Sequence, residues 1–135
     1  MQRKIKDYKK WMVVKARVNN YAPVRSIKEG EVWWAAIGEN VGVEIDGKSD
    51  NYSRPVLIFK KHTGLCFTGI PLSSKLHKGS WYVSFVFKNN LENAVVVQAS
   101  LMSTVRLYEK IGEVSKGDFA RIQKGFENLF IKNVP

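Results

Sequence analysis

Short strand-like runs, separated by turn signals, fill the chain from residue 31 to residue 114 and constrain the fold more than any other feature. Each run is rich in Val, Ile, Phe, Trp or Tyr, the residues that favour strands. The runs are Glu31–Ile37, Pro55–Lys61, Leu65–Ile70, Trp81–Lys88, Ala94–Gln98 and Val105–Val114. The pattern predicts five or six short antiparallel strands that close into a small barrel.

A helix is predicted on each side of these strands. The first covers Lys4–Asn20, and its predicted apolar face consists of Ile5, Tyr8, Met12 and Ala16. The second begins after Ser115, the expected N-cap, and ends near Lys132–Asn133. Its apolar face consists of Phe119, Ile122, Phe126, Leu129 and Phe130. We therefore expect an α+β fold in which a basic helical extension (1–28) precedes the barrel domain (29–135).

Positive charge is concentrated at the start of the chain. The net charge is +10, and residues 1–28 contribute +8 of it, with nine Lys or Arg against one acidic residue. A basic segment of this kind attracts polyanions such as nucleic acid. It is equally typical of a solvated helix that serves only solubility. The sequence alone leaves both interpretations open.

Several classes of protein are excluded or disfavoured. The chain has no run of 18 apolar residues, and its basic N-terminus lacks the apolar core of a signal peptide, so we expect no membrane span and no secretion. Cys66 is the single cysteine, which suits a reducing cytoplasm. His62, His77 and Cys66 show no metal-ligand spacing, and no nucleotide-binding motif is present. We expect neither a metal nor a cofactor.

A polar loop followed by Arg54-Pro55 is the first candidate for chemistry. The stretch Val41–Leu57 contains two glycines and several charged residues before a β-branched strand begins. Proline biases Arg54 toward an extended conformation, so a guanidinium is expected where the loop meets the strand. An Arg held in this way suits phosphate recognition. The alternative is that Arg54 binds a carboxylate such as Glu44.

Other polar residues follow predicted strands. Ser73, Ser74 and Lys75 come after one strand, and Gln98 ends another. Strand ends that meet at one rim would form a phosphate site, and such a site can cleave RNA without metal. The ribose 2′-OH would attack the adjacent phosphate and leave a cyclic phosphate. The simpler interpretation is that the serines belong to turns.

Aromatic and histidine side chains leave further alternatives open. Trp33 and Trp34 are adjacent in a strand and must point to opposite faces, toward the core, a subunit contact or a stacked base. His62 and His77 would suit an acid–base pair if the fold brought them together, with His77 favoured because it follows Ser73–Lys75.

Five motifs in register resemble the MazF/PemK family of toxins. They are Glu29–Trp34, Gly38–Glu44 with Gly47-Lys48, Arg54–Leu57, Gly69–Lys75, and Gln98 with Arg106-Leu107 and Lys110–Gly112. The resemblance covers about residues 29–130, and Lys6–Trp11 also resembles an N-terminal extension of one branch. It implies an SH3-like barrel of the CcdB/PemK kind and a homodimer. It also implies metal-independent cleavage of single-stranded mRNA, and neutralisation by a cognate antitoxin protein.

The resemblance assigns roles to residues of this chain. Arg54 matches the family's catalytic Arg, and Ser73 lies where many members have a catalytic Thr. The expected substrate-binding residues are Glu44, Gly47, Lys48, Ser74, Lys75, His77 and Gln98. Departures from the family pattern occur at Ser100 and Ser103, which stand where many members have Arg and Asp, and at Val95 and Val97, which replace catalytic groups of some members. The alternative function is therefore a weakened, CcdB-like binding module.

Overall fold

The computed structural model of this protein describes residues 5–75 and 77–132. Within them the helices and strands run in the order α1 (Tyr8–Asn19), β1 (Glu31–Ala36), β2 (Ser53–Lys61), β3 (Cys66–Ser73), β4 (Tyr82–Phe87), β5 (Asn90–Val95), β6 (Ser100–Ser103), β7 (Leu107–Glu113) and α2 (Lys116–Phe130). Neither helix of this part of the chain is long and apolar enough to cross a membrane.

The strands form one antiparallel sheet in the order β4-β5-β3-β2-β1-β7, with β6 also paired to β3. The predicted α+β architecture, with a helix on each side of an antiparallel sheet, is confirmed. The described residues contain seven strands, however, rather than five or six, and the sheet is strongly curved without closing, since β4 and β7 at its two ends do not pair. Strand β3 lies at the centre because it pairs with β2, β5 and β6.

Strand β3 is longer than predicted, and the expected loop at Pro71–Lys75 is partly wrong. Pro71 pairs with Val56 of β2, and the strand ends only at Ser73. Proline lacks the N–H that a residue of a central strand normally donates to a neighbouring strand. It fits here because the other edge of β3 changes partner at this point, from β6 at Gly69 to β5 at Leu72.

Two 3₁₀ turns divide segments that were predicted as continuous strands. The apolar run after β5 bends into a turn at Val96–Gln98, so the predicted strand Ala94–Gln98 is wrong at its end and β6 follows it unpredicted. A second turn at Thr104–Arg106 precedes β7. Apolar composition without clear alternation does not separate a strand from a turn. The first turn sets the position of Gln98.

The two faces of the sheet pack into two hydrophobic clusters. Ala35, Val56 and Phe67 lie in one, and Leu57 and Leu72 lie in the other. Helix α2 covers the second cluster and buries Ile122 completely. Ser115 is its N-cap as predicted, since its Oγ accepts a hydrogen bond from the Asp118 N–H at 3.1 Å. The helix ends at Phe130; Asn133, within the predicted end, lies outside the described residues.

Helix α1 buries a different face from the one predicted. It begins at Tyr8 with Asp7 as N-cap, and Lys4, where the prediction began, lies outside the described residues. The buried residues are Trp11, Val14 and Val18, whereas the predicted face of Ile5, Tyr8, Met12 and Ala16 is exposed. Both sets have helical spacing, and the larger indole of Trp11 gains more by burial than the Met12 side chain would.

Candidate functional site

Arg54 lies where the loop between β1 and β2 rejoins the sheet. It pairs with Ala35 of β1, so its side chain starts from the same face as Ala35 and Val56. Its Nε donates to the carbonyl oxygen of Asp46 at 2.8 Å, and its Nη1 donates to that of Leu72 at 3.3 Å. Burial lowers the pKa of Arg54 from its ordinary value, and the nearby Asp46 carboxylate opposes that shift. The side chain is thus a half-buried guanidinium fixed by two backbone carbonyls.

Ser73, the last residue of β3, faces the same side of the sheet. Val56 of β2 pairs with Pro71 of β3. Arg54 lies two residues before Val56 and Ser73 lies two residues after Pro71, so both side chains project from the same face as the Val56 side chain. Ser73 is only 8% exposed, and its Oγ accepts a hydrogen bond from the Lys75 N–H at 3.2 Å. The guanidinium of Arg54 reaches the carbonyl of Leu72, the residue before Ser73. The structure therefore brings Arg54 and Ser73 to one end of the sheet.

Asn93 is a site residue that the sequence reasoning missed. It pairs with Ser73 across β3 and β5 and is completely buried. Its Nδ2 donates to the Lys75 carbonyl at 2.5 Å, and its Oδ1 accepts from the Ser84 Oγ at 2.6 Å. Asn93 therefore fixes the backbone that follows Ser73. The sequence signal that could have indicated Asn93 is its position as a polar residue directly before the apolar run Ala94–Val97. Asn93 lies within β5.

Residues 37–52 form a folded loop rather than an irregular one. The Gly47 N–H donates to the Gly38 carbonyl at 2.8 Å, and Lys48 and Ser53 exchange two backbone hydrogen bonds. A Cβ at Gly47 would lie 1.7 Å from the Tyr52 carbonyl oxygen, so only glycine fits there. Glu44 accepts a hydrogen bond from the Val41 N–H at 3.0 Å and so belongs to the loop itself. The alternative in which Arg54 binds Glu44 is not observed, because Arg54 binds backbone carbonyls.

Gln98 joins this loop to the 3₁₀ turn after β5. Its Oε1 accepts from the Ile45 N–H at 2.6 Å, and its Nε2 donates to the Val43 carbonyl at 3.2 Å. The loop and the turn together border a cavity of about 990 Å³. Other residues of its lining are His77, Trp81, Tyr82, Ser100, Leu101 and Arg106. Gln98 and Glu44, both predicted to bind substrate, thus line the same cavity.

A second cavity of about 350 Å³ lies beside Arg54. Arg54 lines it together with Lys48, Ser74 and Glu92. Burial raises the pKa of Glu92 above its ordinary value. Glu92 precedes Asn93 in β5 and so points to the opposite face of that strand. Lys48 and Ser74, two of the predicted substrate-binding residues, therefore lie in a cavity different from that of Gln98.

The two histidines are not brought together. His77 stacks on Tyr82 with ring centroids 4.6 Å apart and lines the larger cavity. His62 lies at the turn between β2 and β3, where its Nε2 hydrogen-bonds to the Thr68 Oγ1 at 2.8 Å. The turn is at the opposite end of β3 from Ser73, so the structure gives no support to a His62–His77 acid–base pair.

Arg106 is a second half-buried cation near the candidate site. Its Nη1 donates to the Ala36 carbonyl at 2.9 Å, and burial lowers its pKa. It lines the larger cavity, as Ser100 does. In the sequence, Arg106 belongs to one of the five motifs but was not among the predicted site residues. In the described part of the chain, no three His, Cys, Asp or Glu side chains are placed to hold a metal ion.

The sequence and the fold of this chain are similar to those of known proteins. Residues 28–130 match the model of the family described as PemK-like, MazF-like toxins of type II toxin–antitoxin systems. A search of curated protein sequences gave no match. Among solved structures, MazF from Deinococcus radiodurans is similar with a TM-score of 0.62 and 14% identity, covering 76% of this chain and 94% of that one. Mycobacterium tuberculosis toxin MazF-mt6 follows with a TM-score of 0.57 and 15% identity, covering 74% and 95%.

At such low identity these structures establish the fold alone, whereas the family model covers most of the chain. The motifs that resembled MazF/PemK toxins in the sequence fall within the matched residues, apart from the N-terminal helix. The chain therefore belongs to the PemK-like, MazF-like toxin family of type II toxin–antitoxin systems.

Proposed function

We propose that this protein is a cytoplasmic toxin that cleaves single-stranded mRNA without metal, acts as a homodimer and is neutralised by a cognate antitoxin. The observation that carries the proposal is the state of Arg54. In the part of the chain that the structure describes, both hydrogen bonds of its side chain go to backbone carbonyls. A guanidinium has five N–H donors, so donors remain for a phosphate. Arg54 is thus a fixed cation beside a cavity open to a ligand.

The proposed reaction uses the RNA's own nucleophile. The ribose 2′-oxygen attacks the adjacent phosphorus, a bond from the 2′-oxygen to phosphorus forms, and the bond to the 5′-oxygen breaks. The 2′-OH proton is lost to water and the 5′-oxygen takes a proton from water as it leaves, so the products are a 2′,3′-cyclic phosphate and a 5′-OH. Arg54 stabilises the additional negative charge on the phosphate oxygens in the transition state.

Ser73 has a supporting role in this proposal. Its Oγ already accepts the Lys75 N–H, so its own proton is directed elsewhere and can be donated to a phosphate oxygen. Asn93 holds the Lys75 carbonyl and thereby fixes the backbone on which Ser73 depends. Arg54 would contact the phosphate from the cavity that it lines, and Ser73 would act from the end of β3 beside it.

The lining of the larger cavity supports the proposal that single-stranded RNA and an antitoxin segment bind there. It is bordered by exposed apolar side chains, since Trp81 is 55% exposed and Leu101 is 70% exposed. Exposed aromatic and aliphatic groups beside Gln98 suit the bases of single-stranded RNA and the side chains of a bound antitoxin segment. An antitoxin that occupies this cavity would exclude RNA from it.

The test is a comparison of Arg54→Ala with Arg25→Ala on a long, mixed-sequence RNA in the presence of EDTA. Arg25 is exposed and lies near Gly64 in the β2–β3 turn, far from Ser73. Loss of Arg54 should lower the cleavage rate about 10²–10³-fold, the usual effect of removing one transition-state donor. Arg25→Ala should cleave as the wild type does. Equal rates for Arg54→Ala and the wild type would refute the assigned role.

The alternative is a binding module without cleavage. It is favoured by Ser100, which lines the larger cavity where many family members have an Arg. RNA that is retained by the wild-type protein at stoichiometric concentration but recovered at full length would establish this alternative and refute the nuclease.

A further inference from the structure

Helix α1 packs against the loop between β1 and β2. Trp11 is 4% exposed, and its ring lies 5.4 Å from that of Tyr52. A Cβ at Gly38 would lie 2.3 Å from the Trp11 ring, so the helix and the loop are in direct contact there. The helix lies before residue 28, where the match to the family model begins. The family match therefore assigns this contact no role.

Polar groups at the start of α1 bind the same loop. The Lys6 Nζ forms an ion pair with the Asp46 carboxylate at 3.2 Å and also donates to the Asn40 carbonyl. The Tyr8 OH donates to that carbonyl at 2.9 Å, and Lys10 pairs with Asp50 at 3.2 Å. The Lys6–Asp46 pair is the well-buried one, with side-chain exposures of 11% and 14%, whereas Lys10 and Asp50 are exposed. A shielded pair fixes geometry much better than an exposed one.

Asp46 connects Lys6 to Arg54. Its side chain accepts from Lys6 and from the Asn40 N–H at 2.6 Å, which fixes the residue within the loop. Its main-chain carbonyl accepts from the Nε of Arg54 at 2.8 Å. The position of the Arg54 guanidinium therefore depends on the position of Asp46, which in turn depends on Lys6. A change at Lys6 would reach Arg54 without any direct contact between the two.

We propose that Lys6 is a positioning residue for Arg54, and that α1 holds the β1–β2 loop in the conformation in which Asp46 orients the guanidinium. The proposal deepens the proposed function and rests on it. Lys6 contacts neither substrate nor Arg54, so its loss should leave substrate binding almost unchanged. It should lower the rate of the chemical step, which depends on the alignment of Arg54 with the phosphate.

The test compares Lys6→Met with Lys9→Met and Lys6→Arg. Lys9 lies in α1 and is exposed, and its side chain has no ion pair or hydrogen bond among residues 5–75 and 77–132. Lys9→Met therefore removes the same charge as Lys6→Met without removing a contact. We expect Lys6→Met to lower kcat about tenfold with KM nearly constant, because a displacement well below 1 Å already weakens catalysis. Lys9→Met should leave kcat unchanged, and Lys6→Arg should restore most of it because it retains the cation.

Amide hydrogen exchange of the protein without RNA gives a readout that does not depend on cleavage. In Lys6→Met the N–H groups of Asn40, Ile45 and Gly47 should exchange about tenfold faster, as expected for a local opening with fewer contacts. Thermal unfolding checks that the variant is folded at the assay temperature. Exchange and kcat that are the same in Lys6→Met and Lys9→Met would overturn the proposal. Faster loop exchange in a protein that never cleaves RNA would establish the loop contact and refute the nuclease instead.

Discussion

Replacement of Gly38 by Ala tests the contact between α1 and the loop through stability. Gly38 has a φ of +93°, and a Cβ there would lie 2.3 Å from Cε2 and Cζ2 of Trp11. Carbon atoms in contact lie about 3.5–4.0 Å apart, so the ring must move. The left-handed backbone costs Ala about 1–2 kcal/mol. The overpacking adds about 1–3 kcal/mol, which gives a total loss of about 2–5 kcal/mol in the free energy of unfolding.

Gly30 provides a control with the same backbone but no clash. Its φ is +95°, and nothing lies within 4 Å of the position of its Cβ. Gly30→Ala should therefore lose only the backbone part, about 1–2 kcal/mol. The difference between the two variants isolates the contact with Trp11. We expect it to be about 1–3 kcal/mol, measured by urea unfolding followed by circular dichroism.

A double-mutant cycle with Trp11→Ala completes the test. Trp11→Ala alone should cost about 3–5 kcal/mol, since it removes a buried indole. In that background Gly38→Ala meets no ring, so its effect should fall to that of Gly30→Ala, a coupling of about 1–3 kcal/mol between the two sites. If Gly38→Ala has the same effect with and without Trp11, the helix does not pack on the loop. The proposal for Lys6 would then lose its structural basis.

Two further predictions concern buried polar groups. Asn93→Leu leaves the Ser84 hydroxyl and the Lys75 carbonyl without their partner, so the free energy of unfolding measured in urea should fall by about 2 kcal/mol. The cleavage rate should also fall, because the backbone that follows Ser73 is no longer fixed. For Glu31, burial tends to raise the pKa, but hydrogen bonds from Lys110, the Lys28 N–H and Trp33 outweigh it and the pKa lies below its ordinary 4.5. A carboxylate with a depressed pKa stabilises the folded state above pH 4.5, and this stabilisation is lost as the pH falls through the folded-state pKa. Glu31→Gln should therefore flatten the decline in the free energy of unfolding below pH 4.5. An unchanged decline would contradict the role assigned to Glu31.

The fold was predictable because its signals are local. Turn residues separate the short β-rich runs, and the Ser115 N-cap marks the start of α2. The errors occur where tertiary contacts decide between equal local patterns. Pro71 lies in a strand because β3 changes partner beside it, and Trp11 rather than Met12 is buried because a glycine at position 38 leaves room for the indole. Neither fact is visible in the residues near these positions.

The placement of two candidate residues was predictable where a residue type has one evident use, and their roles stay predictions. An Arg before a proline and a hydroxyl at a strand end indicated the Arg54 and Ser73 positions, which the fold places on one face. Asn93 and Asp46 were missed because their roles depend on partners distant in the chain. Asn93 binds the carbonyl of Lys75, 18 residues away, and Asp46 presents a main-chain carbonyl, which every residue possesses. Side-chain chemistry gives no signal for a contact that is made by a main-chain carbonyl.

Part of the positive charge at the start of the chain is paired with the loop. The sequence left two interpretations of the basic N-terminus open, attraction of a polyanion and simple solvation, and both stay open; two of its residues, Lys6 and Lys10, pair with Asp46 and Asp50 of the loop. Asp46 lies beside Arg54, since its main-chain carbonyl accepts a hydrogen bond from the Arg54 Nε. Because Lys6 and Lys10 pair with these residues, the segment that contains α1 holds the loop beside the proposed phosphate site. The same helix that sequence reasoning treated as a separate arm is thus part of the environment of Arg54.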